Sequence, residues 1–135
     1  MNTPVSFELA RLLKEKGFES KSHIAEYWNV EGKQLLVETW EDEYDSFHHE
    51  DCPHDITFVC SAPTIAEVVM WLYEKHGIWV RVEPDWDGDF WAQIKSREIP
   101  DARIGKWQVV TALAPYKSPT EAYEKAIEYC LNKLI

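Results

Sequence analysis

No run of this 135-residue chain approaches the roughly eighteen consecutive apolar residues of a membrane-spanning helix, so membrane insertion by that route is not expected. The first residues, "MNTPVSFELARLLKEKGF", lack a basic start, an apolar stretch and a small-residue cleavage site, which sets the expectation of a cytoplasmic protein. Cysteine is scarce: Cys52, Cys60 and Cys130 are odd in number and show no CxxC spacing, which argues against a disulfide framework. Glycine-rich phosphate loops, a GxSxG elbow and HExxH are all missing, so no familiar phosphoryl-transfer, esterase or zinc-protease signature stands in the chain. No cofactor is expected.

Bases are missing from one segment altogether. Residues 38–61 carry eight acids and no lysine or arginine, for −8 of the total −10. Residues 1–37 are neutral and residues 62–135 carry −2. An acidic segment on a nearly neutral body repels phosphate backbones and attracts cations or basic partners, so nucleic acid is not an expected partner.

What is present is a folding composition, 45% hydrophobic with seven tryptophans, of a length that fits a single domain over 1–135. Three helices have readable ends. In the first, Thr3 as cap and Pro4 at the first helical position lead into Val5, Leu9, Leu12 and Leu13 on one stripe, and Gly17 supplies the stop. The second, "SAPTIAEVVMWLYEKHGI", has Thr64 and Glu67 at capping-box spacing and Ile65, Val68, Val69 and Leu72 as its core stripe. Met70, Trp71 and Tyr73 widen its apolar surface, which predicts cover on more than one side. The third, "SPTEAYEKAIEYCLNKLI", combines a Ser118 cap, Pro119 and Glu121, with Tyr123, Ile127, Cys130 and Leu134 along one face.

Between the last two helices, Ile78, Val80 and Val82 alternate with polar or aromatic residues, as do Phe90, Ala92 and Ile94. For both apolar sets to share a face the loop must be odd in length, and Trp86-Asp87-Gly88 fits with Gly88 left-handed. A calcium loop starting at Asp85 is excluded, because its glycine falls at position four and Ser96 stands where a bidentate glutamate belongs. A third strand is predicted over 107–113, and a smaller strand pair over 25–30 and 34–39 about Gly32.

The expected fold is α+β: an N-terminal helix and small strand pair, then α-β-β-β-α over 62–134 with both helices on one face of an antiparallel sheet. Residues 40–61 are expected as an acidic loop. The other sheet face would present Trp79, Arg81, Trp91 and Gln93 as a binding surface for a protein partner or self-association; the alternative is that the N-terminal third covers them. The same element order occurs in double-stranded RNA-binding domains, but here the last helix opens Ser118-Pro119-Thr120-Glu121 with no base before Lys125.

The stretch "DSFHHEDCPHD" is the chain's densest collection of metal-binding side chains. His48, His49, Cys52 and His54, with Cys60 or Asp55 as a further ligand, support an alternative reading as a metal-binding protein or metal-dependent hydrolase. The spacing matches no standard zinc pattern, and the surrounding carboxylates oppose the lowered thiol pKa that a nucleophilic Cys52 would need. A third reading takes the acidic segment as a nucleic-acid-mimicking decoy.

The blocks "FELARLLKEKGF", "SAPTIAEVVMWLYEKHGIWVRVE" and "SPTEAYEKAIEYCLNKLI", in that order, resemble short uncharacterised proteins encoded by phages and prophages of intestinal anaerobic bacteria. That resemblance implies a cytoplasmic mobile-element protein and carries no catalytic residue. The preferred expectation is therefore a small, non-enzymatic protein-interaction module.

Overall fold

The computed structural model describes residues 3–20, 25–37, 56–97 and 107–135. They are mixed α+β and gather into two compact units, Pro4–Thr64 and one built on Ile65–Ile135.

The first unit contains α1 (Phe7–Glu15), β1 (Glu26–Val30), β2 (Lys33–Val37) and β3 (Ile56–Ser61). The N-cap of α1 is Ser6, whose hydroxyl accepts from the Leu9 amide at 3.4 Å, and not Thr3. Pro4 instead forms an antiparallel bridge with Thr64, and the Val5 amide donates to the Pro63 carbonyl at 3.0 Å. Extended pairing thus takes the residues that capping logic assigned to the first turn. The helix stop is as expected: Gly17 has φ 90°, the Phe18 amide reaches the Leu13 carbonyl and the Gly17 amide that of Lys14, a Schellman closure.

Strands β1 and β2 meet through Glu31 and Gly32, at φ 50° and 79°, the two positive values a type I′ turn requires. Strand β3 corrects the expected acidic loop over 40–61, since its last residues pair antiparallel with β1 to give the order β2-β1-β3. The signal was weak because a bulge at Tyr27/Trp28 breaks the alternation. Helix α1 packs against this sheet, with the buried Tyr27 hydroxyl donating to the Val5 carbonyl at 2.6 Å and the Phe7 and Tyr27 rings edge-on at 5.3 Å.

The second unit is α2 (Ile65–His76), β4 (Ile78–Pro84), β5 (Phe90–Ser96), β6 (Gln108–Tyr116) and α3 (Pro119–Tyr129), the last continued by a π-helical turn over Cys130–Leu134. The sheet order is β4-β5-β6, antiparallel throughout. The loop is the odd-length one that parity demands: the Asp85 amide donates to the Asp89 carbonyl across Trp86-Asp87-Gly88, and Gly88 has φ 81°. Strand β6 runs three residues beyond the expected end. Ser118 caps α3 by accepting from the Glu121 amide at 3.1 Å, while the Glu121 carboxylate reaches the amide of Lys117, one residue earlier than a capping box has it.

Helix α3 packs across all three strands and against α2, and α2 packs on β4. Ile65, Leu72, Val80, Ala92, Ile94 and Ile127 are all buried, so the sheet's alternate residues and the helix stripes close one core. Among the described residues, no helix is long and apolar enough to cross a membrane.

Candidate functional site

Pairing of β4 with β5 sets Trp79 opposite Lys95, Arg81 opposite Gln93 and Glu83 opposite Trp91. These positions alternate with the buried Ile78, Val80, Ala92 and Ile94, so Trp79, Arg81, Trp91 and Gln93 share the other face of the sheet. The face exists, but the two tryptophans are not neighbours. They stand four ladder positions apart, about 13 Å at the usual strand rise. Trp91 and Gln93 are half-buried, while Trp79 is 37% exposed.

Arg81 is not a free cation. Its Nε donates to Glu83 Oε1 at 2.6 Å, and its guanidinium is ion-paired with the same carboxylate. Both groups are exposed, so this pair orients the side chains and adds little stability.

Trp79 keeps different company from that expected. The Tyr73 ring meets it edge-on with centroids 5.9 Å apart, and the same tyrosine stacks on Trp107 at 6.1 Å with planes 23° apart. The Arg97 guanidinium lies 5.7 Å from the centroids of both Tyr73 and Trp107, in cation–π range. Beside these rings opens a cleft of about 520 Å³ lined by Met70, Tyr73, Trp79, Lys95 and Trp107. Met70 is 45% exposed, so the second side of α2 expected to be covered is open here.

Chain geometry explains the assembly. Gly77, at φ 62°, ends α2 and turns the chain straight into β4, so Tyr73 and Trp79 flank one tight reversal. The Arg97 amide donates to the Gly77 carbonyl at 2.8 Å, which fastens the end of β5 to the same point. Met70, Tyr73, Lys95, Arg97 and Trp107 were not among the site residues expected from the sequence. The surplus of apolar residues on α2 was the available signal for the first two. Nothing local marks the other three, which depend on strand register.

The two described cysteines, Cys60 and Cys130, are free and buried. Burial raises the Cys60 thiol pKa, although Lys14 and Arg11 pull in the other direction. Burial pushes Cys130 up to about 12, and both side chains are inaccessible, in keeping with an inert thiol on the third helix's apolar stripe. Residues His48, His49, Cys52 and His54 lie outside the described residues. Among the described residues, no group of three or more His, Cys, Asp or Glu side chains is placed to hold a metal ion. No protein-family model, no curated protein and no solved structure matches this chain.

Proposed function

We propose that this protein is a small, non-enzymatic protein-interaction module acting in the cytoplasm, of the phage or prophage type its helix blocks resemble. The contact surface is the sheet face of Trp79, Arg81, Trp91 and Gln93, with the cleft beside Trp79 as its anchor point. One observation carries the reading: Trp79 and Met70 leave large apolar side chains open to solvent around an aromatic-walled concavity. Exposed apolar patches with aromatic anchors and a polar surround are the usual composition of contact surfaces. Arg81, Glu83 and Gln93 supply that polar surround.

The test is Trp79→Ser. Wild type and variant are compared by sedimentation velocity for self-association and by quantitative capture of partners from producing cells, with circular dichroism as the folding control. The variant is expected to stay folded and lose association. An unfolded Trp79→Ser would make the residue core, and an unchanged set of partners and sedimentation profile would remove the surface from consideration.

A further inference from the structure

The cleft beside Trp79 has a charge preference opposite to that of the molecule. Lys95 lines it, the Arg97 guanidinium lies beside two of its aromatic rings, and no acidic residue is among the described residues that line it. Lys95 pairs with no carboxylate among the described residues. A chain of net charge −10 therefore places one cation in the lining of this aromatic cleft and a second against two of its rings.

From this, and resting on the interaction reading above, we propose that the partner element is an acidic protein segment carrying one aromatic or large aliphatic side chain. Three features select this occupant. A cleft of about 520 Å³ has room for an anchor side chain and its neighbour, within the usual range for binding pockets. Tyr73 and Trp107 already stack on each other, so they do not form an open slot for a planar base; the accessible apolar surface is that of Trp79 and Met70. Methionine is unbranched and polarizable, and adapts to anchors of differing shape.

Spacing supplies the third feature. Trp79 and Lys95 are direct cross-strand partners, so their side chains leave the sheet side by side. A segment whose apolar side chain lies against Trp79 brings a carboxylate to Lys95 from a nearby position in its own sequence. Basic segments, drawn to the protein's acidic stretch at long range, meet like charge at this point, which sharpens partner choice.

The probes are three fluorescein-labelled hexapeptides of equal length, read by anisotropy with the full chain: acidic with a central phenylalanine, acidic with serine in its place, and basic with the phenylalanine. The acidic phenylalanine peptide is expected to bind about tenfold or more tightly than either of the others, the scale of one well-placed charge pair. Lys95→Glu should move the preference to the basic peptide, Lys95→Gln should weaken the acidic one alone, and added salt should narrow the gap. Equal binding of both charge types, indifference to Lys95→Glu, or no binding of any peptide overturns the assignment. If that happens while Trp79→Ser still abolishes association, the interaction reading survives and only the partner class is wrong; if Trp79→Ser changes nothing, both fall.

Discussion

The two three-stranded sheets of this protein differ in how they are covered. Sheet β4-β5-β6 has α3 lying across every strand and α2 on its β4 side, and its inward residues Val80, Ala92 and Ile94 are at most 2% exposed. Sheet β2-β1-β3 is packed by the nine-residue α1 and buries Tyr27 and Val30 to 6% and 8%, leaving Leu35, Leu36 and Phe58 exposed on β2 and β3 much as β6 leaves Val109 and Val110. A twisted three-stranded sheet becomes independently stable only when one face is closed by further apolar surface. By that criterion the inward face of the Ile65–Ile135 sheet, closed by two helices, is the more fully covered of the two.

The largest effect that would sharpen this contrast is Ile127→Ala. The side chain is fully buried where α3 crosses the sheet, so its truncation should cost about 2–5 kcal/mol in urea unfolding. Leu35→Ala, on the open sheet, should fall within about 0.5 kcal/mol. Comparable losses at the two positions would break the comparison.

Next in size is a pH effect confined to the well-covered unit. The ordinary thiol value for Cys130 is 9.0 and the folded value is about 12, so the folded state holds its proton over a range where the unfolded chain releases it. Stability should therefore be intact below pH 9 and decline between pH 9 and 12, by about 1.4 kcal/mol per pH unit attributable to this group. Cys130→Ala should flatten that part of the stability–pH curve, and an unchanged slope would show that Cys130 contributes nothing to it.

Smaller still is Gly17→Ala at the end of α1. An added Cβ meets nothing within 4 Å, so the cost comes from φ 90° alone, about 1–2 kcal/mol by thermal unfolding. A loss well above that would mean the first unit is more tightly coupled to its helix stop than its open sheet suggests.

Much of the second unit was legible in the chain. Thr64, Gly77, Ser118 and Pro119 marked helix limits to within a residue, because caps and stops act through hydrogen bonds and backbone sterics among residues close in sequence. Loop parity limited the β4–β5 register to odd loops, and the need for a left-handed residue at Gly88 picked Trp86-Asp87-Gly88 among them. The first unit was harder. Thr3-Pro4 has the form of a helix start, yet bridging to Thr64 outcompetes it. The β3 strand follows an acidic stretch and pairs through a bulge, so neither composition nor period announces it.

The same division holds for the candidate site. That Trp79, Arg81, Trp91 and Gln93 occupy one face followed from a period of two, a property of any extended chain. Which of them work together did not. Arg81 is engaged by Glu83, Trp91 lies at the far end of the ladder, and Trp79 belongs with Tyr73, Lys95 and Trp107.

By itself, then, the sequence determined the stop of the first helix, the limits of the second, the start of the third, the hairpin's register and the α-β-β-β-α order, all consequences of local sterics, capping and alternation. Only the tertiary structure decided that Tyr73, Trp79 and Trp107, spread over 35 positions, meet at one cleft with Lys95 beside it. Such a meeting depends on how a helix end, a tight glycine turn and two strand pairings combine in space, and no local interaction encodes that sum.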